Sequence, residues 1–334
     1  MSPVGPPLDV PDAPRIAGLR FRPFRDDRDY EALAELMTAA NLADGVDYLP
    51  DAPSLRVEYE NADDLDVRRD LVIAEVDGRV VGYGEARRQV RDGAPVYVTF
   101  GAVRPEFRRR GLGRALLRWN QARSREVALL HPDEGDRQLR AWIADRQGGA
   151  RELLESDGYI AVRHGFEMTR RDLGELPDAP LPEGLEIRPV DQKQLRRIFD
   201  AENEAFRDHW GHLEMGDADF RQTAESPDLD ISLWRVAWDG DEVAGVVETF
   251  IFRSENAKLG KKRGWLDRVS VRRTWRRRGL ARALIVSAFA GLRDAGMTEA
   301  MLGVDAENPT GAVQLYESLG FRVTDRGTTY RKAW

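Results

Sequence analysis

The run Arg276-Arg277-Arg278-Gly279-Leu280-Ala281 follows an alternating apolar stretch that includes Val269 and Val271. A strand that delivers such a loop into a helix makes an anion site. The unpaired amides of the first helical turn and the helix dipole both favour a phosphate. Glycine lets that phosphate approach the backbone without meeting a Cβ atom. The same chemistry recurs at Arg108-Arg109-Arg110-Gly111-Leu112-Gly113. A dinucleotide fingerprint fits poorly, because its first glycine should follow the strand at once and here Arg272 to Arg278 intervene. No Gly-Lys-Ser/Thr phosphate loop is present. The alternative is a solvated basic turn that caps a helix. His209 and His212 have His-x-x-His spacing, but no third ligand is recognisable and the chain has only 4 histidines, so no metal is expected. The absence of cysteine removes disulfides, thiolate metal sites and a cysteine nucleophile.

The elements that must carry these loops are repeated. Gly18-Leu19-Arg20-Phe21-Arg22-Pro23 returns as Gly184-Leu185-Glu186-Ile187-Arg188-Pro189 at an offset of 166, and the arginine-glycine loops lie 168 apart. Gly149 to Tyr159 returns as Gly311 to Phe321 at an offset of 162. Three collinear matches of this kind predict two copies of one unit. Each copy reads as a short strand (19–24, 185–190), an amphipathic helix (30–40, 191–205) and a hairpin turned at Asp77-Gly78 or Asp239-Gly240. A fourth strand (96–103, 265–271) enters the loop and a long helix (111–127, 279–295). A fifth strand (138–143, 300–304), a shorter helix and a closing strand complete the unit. The expected class is mixed α/β, with a mostly antiparallel sheet flanked by helices on both faces. The expected domains are 18–171 and 184–334. Residues 172–183, with Pro177, Pro180 and Pro182, read as a linker, and 1–17 as an unstructured tail.

Composition narrows the classes. Of the residues, 42% are hydrophobic and 33% charged, which excludes wholesale disorder, and a net charge of −7 argues against a protein that coats nucleic acid. No apolar run approaches a membrane span, and Met1 to Pro14 lacks the pattern of a signal peptide. A soluble cytoplasmic protein is expected. The internal repeat is compatible with a monomer.

The two loops and the C-terminal helix resemble the GNAT superfamily of acetyl-CoA-dependent N-acetyltransferases. Its acetyl-CoA motif, Arg/Gln-x-x-Gly-x-Gly/Ala, is matched by Arg276-x-x-Gly279-x-Ala281 and Arg108-x-x-Gly111-x-Gly113. Its second motif is matched by Asn308 and by Ala312-Val313-Gln314-Leu315-Tyr316-Glu317-Ser318-Leu319-Gly320-Phe321. Length and layout are similar to the tandem mycothiol synthases within that superfamily. The resemblance implies two tandem GNAT-type domains, acetyl-CoA as cosubstrate, no metal, and direct attack of a primary amine on the thioester. It also implies that pantetheine lies between the separated ends of the fourth and fifth strands.

By the same resemblance Tyr316 is the acid that protonates the leaving thiolate, the alternative being an ordinary buried aromatic. The base is Asp267 or Glu248, because Trp265 stands where mycothiol synthases carry a glutamate. Asp267 lies two residues on, on the same strand face by the period of two. Tyr316, Asn308 and Asp267 correspond to Leu154, Arg146 and Thr99 in the first copy, so catalysis is expected in the second copy and scaffolding or CoA binding without turnover in the first. Glu204, Asp208, His209 and Trp210 are the expected acceptor-binding residues. A small-molecule amine is the expected acceptor. A protein or peptide acetyltransferase and a non-enzymatic acyl-CoA-binding regulator are the competing classes; nucleic acid and membrane are not expected partners.

Overall fold

Asp77 and Gly78 both take positive φ, 50° and 81°, the backbone of a two-residue turn whose twist matches that of its flanking strands. That turn fixes the first hairpin in a computed structural model that describes residues 8–91, 93–132, 136–207, 210, 214–308 and 310–334. The first unit comprises the residues up to Arg163 together with Thr328–Trp334; the second is His164–Gly327.

In the first unit the elements are β1 (Leu19–Arg22), α1 (Arg28–Asp44), α2 (Ala52–Glu60), α3 (Val67–Asp70), β2 (Leu71–Val76), β3 (Arg79–Arg91), β4 (Ala94–Val103), α4 (Leu112–Leu129), β5 (Gln138–Ala144), α5 (Gly148–Ser156) and the start of β6 (Ile160–Arg170). The second unit continues with β7 (Glu186–Arg188), α6 (Leu195–Phe206), α7 (Asp217–Ala224), β8 (Arg235–Asp239), β9 (Glu242–Phe250), α8 (Arg253–Leu259), β10 (Arg263–Val271), α9 (Leu280–Asp294), β11 (Glu299–Asp305), α10 (Ala312–Ser318) and β12 (Arg322–Ala333). In each unit the strands run in sequence order, β1-β2-β3-β4-β5 and β7-β8-β9-β10-β11. Only β4/β5 and β10/β11 are parallel among these pairs, and each parallel pairing needs its crossover helix, α4 or α9. The class is therefore the mixed α/β one expected, and the alternation of strand and helix carries it.

Both faces of each sheet are covered. In the second unit α9 buries Leu280, Leu284, Ile285, Ala288, Phe289 and Leu292 against one face. The packing is close: a Cβ on Gly264 would lie 2.1 Å from Leu292 Cδ2, so only glycine admits the helix there. On a separate core, α6 lays Leu195 and Ile198 against Trp234, Val236, Trp238 and Phe250. α2, α7 and α8 have no counterpart in the sequence expectation; they are short and their apolar residues too few to mark a period.

Two boundaries differ from those expected. Residues 8–17 are not a loose tail: Val10 is buried with Leu112, Ala115 and Leu116, and the Leu8 amide donates to Phe21 O at 2.9 Å. Residues 1–7 lie outside the described residues. The proline-rich segment 172–183 is likewise anchored, with Leu173 buried in the core of the second unit and Leu176 and Leu181 packed on it. The domain limits 18–171 and 184–334 shift because the closing strands trade units. The end of β12 lies beside β5, while β6 runs antiparallel to β11 from Ala300↔Arg170 to Asp305↔Gly165. Tyr330 is buried in the core with Leu139 and Leu154, and Lys332 Nζ pairs with Asp157 at 2.7 Å.

Ending the chain after Gly327 should therefore damage the first unit, although the deletion is C-terminal. Removing a buried aromatic and a ladder costs about 3 kcal/mol or more. Amide exchange should accelerate in β5 and α5 and stay unchanged in β8 to β10. Unchanged protection of β5 would show that the exchanged strand does not support it.

Candidate functional site

The two arginine-glycine loops share one backbone. Each strand ends in a 3-10 turn, Pro105–Phe107 or Arg273–Trp275. Next come a left-handed arginine, Arg109 at φ 61° or Arg277 at φ 62°, and a left-handed glycine, Gly111 at φ 88° or Gly279 at φ 85°. The long helix then begins. The leading arginine braces the turn. Arg276 donates from Nε to Val271 O and from Nη2 to Ala205 O, both at 2.9 Å. Arg108 does the same to Val103 O and Ala40 O at 3.1 Å and adds a two-pronged pair with Asp44. These arginines hold the loop shape rather than reach outward.

The surroundings of the loops differ. At Gly279 nothing lies within 4 Å of where a Cβ would be, and Arg277 and Arg278 are exposed and pair with no described residue. At Gly111 the same position is 3.5 Å from Pro14, in the segment that Val10 anchors. Asp12 of that segment pairs with Arg118, and Arg109 pairs with Glu152 at 2.6 Å. The residue equivalent to Glu152 is the neutral Gln314. At the second loop both exposed arginines pair with no described residue; at the first, the exposed Gly111 has Pro14 beside it, Arg109 is paired with Glu152 and Arg110 lies over the Phe107 ring.

Beside the open loop the sheet parts. β10 and β11 pair only from Arg263↔Glu299 to Trp265↔Met301. β10 continues against β9 alone, with a register shift between Leu266↔Thr249 and Arg268↔Glu248, so Asp267 is the extra residue of a bulge. β4 has no such shift: Thr99 pairs with Ala86 and Phe100 with Glu85. Register therefore matches Phe100 to Arg268 and Thr99 to Leu266, which corrects the correspondence of Thr99 with Asp267. Counting along the sequence cannot see one inserted residue. Thr99 is buried and bonded by the Asn120 side chain.

The bulge sits in a cluster of acids. Glu202 of α6 is fully buried, Glu248 of β9 nearly so, and Arg268 Nε lies 3.6 Å from Glu202 Oε1. Burial raises the Glu202 carboxyl, with Arg268 opposing. Burial and then the facing Glu202 drive Glu248 well above the usual carboxylate range. The two buried carboxyls face each other, and each is pushed toward its protonated form. Asp267 is exposed to solvent, and desolvation by the surrounding protein raises its carboxyl against Arg268 and a hydrogen bond from Trp265. Tyr316 stands apart: its shift to about 12 comes from burial alone, its ring packs on Phe321 at 5.9 Å, and its hydroxyl bonds no described residue.

A model of the acetyltransferase (GNAT) family matches residues 31–142 and 195–321. The chain belongs to the GNAT acetyltransferase family. It is 31% identical over 306 residues to a mycothiol acetyltransferase of Geodermatophilus obscurus, covering 90% of this chain and 94% of the relative. It is 33% identical over 319 residues to one from Thermobifida fusca, covering 90% and 93%. A GCN5-related N-acetyltransferase from Sphaerobacter thermophilus superposes with TM-score 0.71 at 28% identity over 97% of both chains. A tandem GNAT protein from the clavulanic acid biosynthesis pathway shares the fold, with TM-score 0.65, 18% identity and coverage of 94% and 98%. The tandem GNAT architecture follows from both family matches.

Val269 and Val271 lie on β10 beyond the parting, and Leu280 and Ala281 begin α9. Asn308 accepts at Oδ1 from the Thr310 amide, which leaves its own amide group as a donor. Glu204 is already held by Arg272 at 2.9 Å and is not a free amine partner. Trp210 is exposed; Asp208, His209 and His212 lie outside the described residues. Among the described residues no cluster of acids and histidines has metal-site geometry, and no helix is long and apolar enough to cross a membrane. Glu202 and Arg268 were missing from the expected set. Glu202 carried a signal: it occupies the buried stripe Leu195, Ile198, Phe199, Glu202, Ala205, where an acid demands a partner.

Proposed function

We propose that the chain is an acetyl-CoA-dependent N-acetyltransferase whose second unit transfers acetyl to the primary amine of a small molecule. The observation that carries this reading is the open cradle at Gly279, at the end of the strand that parts from its parallel neighbour. The loop amides, Arg277 and Arg278 suit a pyrophosphate. The edge of β10 through Val269 and Val271 and the Asn308 amide offer donors and acceptors to an extended pantetheine arm. The relatives' name supports a small-molecule acceptor.

The bound cosubstrate supplies the thioester that the amine attacks. Asp267 is the base: it is the carboxyl of its cluster that solvent reaches, and its raised affinity for protons suits removal of one from an ammonium. Glu248 is closed off and already holds its proton more firmly, so it does not serve. Where Trp265 replaces the glutamate of mycothiol synthases, the bulge brings a carboxylate two residues later. The Tyr316 hydroxyl, kept protonated by burial, gives its proton to the thiolate as the C–S bond breaks. In the first unit Leu154 has no proton to give and Pro14 lies beside the loop glycine.

Calorimetry of the whole chain should give one acetyl-CoA per molecule. Gly279→Asp should abolish that binding and Gly111→Asp leave it intact; the reverse pattern would move the site to the first unit.

Tyr316→Phe keeps the ring and its packing. Acetyl-CoA affinity should be unchanged and turnover should fall on the order of 10²-fold or more. The tyrosine proton is retained up to about 12, so in the wild type kcat should show no basic limb from this group below that pH. On the acid side activity should fall as Asp267 takes up its proton, above the ordinary aspartate range because its carboxyl is raised. Wild-type turnover by the phenylalanine variant would remove Tyr316 from the mechanism.

A further inference from the structure

Three differences between the units occur together around one point of the sheet. β10 has a bulge at Asp267 and β4 has none. Arg268, next along, corresponds to Phe100, because each faces its strand partner, Glu248 or Glu85, in the same register. Glu202 corresponds to Met37, since Arg276 and Arg108 donate to Ala205 O and Ala40 O at equivalent points of α6 and α1. The apolar residues Met37, partly buried, and Phe100, exposed, thus stand at the positions of Glu202 and Arg268.

Glu202 is costly where it stands. It is fully buried, and among the described residues neither of its oxygens has a hydrogen-bond donor of good geometry other than Glu248 in its protonated form. What it faces is Glu248 and, at 3.6 Å, Arg268 Nε. The Arg268 guanidinium is itself clamped. It lies over the Phe206 ring at 4.6 Å and contacts Met215 S at 2.8 Å. Met215 is tied to α6 by two hydrogen bonds with Asn203, at 2.7 and 3.0 Å. One helix therefore supplies Glu202, Asn203 and Phe206 to fix the residue that follows the bulge.

We propose that Glu202 is a positioning residue: through Arg268 it holds the β10 bulge so that the Asp267 carboxylate faces the cleft where the acceptor amine is deprotonated. It touches neither substrate and acts only through Arg268. The inference rests on the assignment of Asp267 as base. A bulge bends its strand and re-aims side chains, and without a clamp the extra residue can relax along the strand. Among the described residues, the groups acting on this acid cluster are Arg268 and Trp265 from β10, Glu248 from β9 and Glu202 from α6.

The test uses the full-length protein, acetyl-CoA, and whichever primary amine turns over fastest in a CoA-release screen. Glu202→Gln keeps the shape and removes the charge. Acetyl-CoA affinity should be unchanged, kcat should fall about tenfold or more, and the acid limb of kcat should move to lower pH. The direction follows because one like charge near Asp267 is lost and Arg268 is freed to favour its ionised form. Amide exchange should rise at 266–269 and not in β8. The double variant Glu202→Met with Arg268→Phe installs the first unit's apolar solution; it should fold at least as stably and still lose turnover. Asp267→Asn is run in parallel. If it keeps full activity, the base assignment fails. If it is inactive while Glu202→Gln and the double variant both retain wild-type kcat and pH profile, the positioning role alone is overturned.

Discussion

Parallel β10 and β11 share only three residue pairs, and the second unit's candidate site is arranged around the point where that pairing stops. A parallel pair that opens leaves backbone donors and acceptors facing the gap, and these must be satisfied by something other than the sheet. The gap can persist because each strand is held from its outer side. β9 pairs with β10 as far as Val271, and β6 pairs with β11 as far as Asp305. The strand that parts is also the one that ends in the arginine-glycine loop. A helix N-terminus, a free strand edge and a carboxylate on a bulge therefore share one strand and its outlet, without any one residue having to reach far.

The first unit repeats that scaffold with different side chains around it. β4 and β5 also part after three pairs, and the loop at Gly111 has the same left-handed turns. The loop geometry is retained and its surroundings differ: Asn120 bonds Thr99, Glu152 pairs with Arg109, Pro14 lies beside Gly111, and Met37 and Phe100 stand at the positions of Glu202 and Arg268, while Glu85 on β3 keeps a buried carboxyl, raised to about 7 by burial, against Arg87 and Tyr59. Replacing a buried charge pair by apolar groups is often neutral or stabilising. Stability alone therefore does not account for Glu202 and Arg268 in the second unit.

The repeat, the mixed class and both loops were legible in the sequence because each rests on local pattern: alternation in strands, stripes in helices, and glycines where φ must be positive. The bulge was not. A one-residue insertion changes no residue type and only shifts register, so Thr99 and Asp267 looked equivalent until their strand partners were known. Residues 8–17 and 172–183 read as loose because proline-rich composition carries no record of single anchors such as Val10 and Leu173. The trade of closing strands was invisible for a related reason. β6 and the end of β12 are similar strands, and nothing local says which sheet each joins.

The two groups proposed for proton transfer have their proton affinities set by different means, and the difference follows from where the fold puts them. Tyr316 is on a short helix within the apolar core, with no charge near enough to perturb it, so burial alone sets its affinity. Asp267 is among charges: burial raises it, while Arg268 and Trp265 pull it back. An acid that must hold its proton until a thiolate forms is served by a dry, featureless setting. A base that must be empty at neutral pH and still able to accept needs opposed influences close to balance. The bulge sets Asp267 beside a cation that also faces Glu202 and that opposes the effect of burial without cancelling it. A regular strand would have no residue at that point.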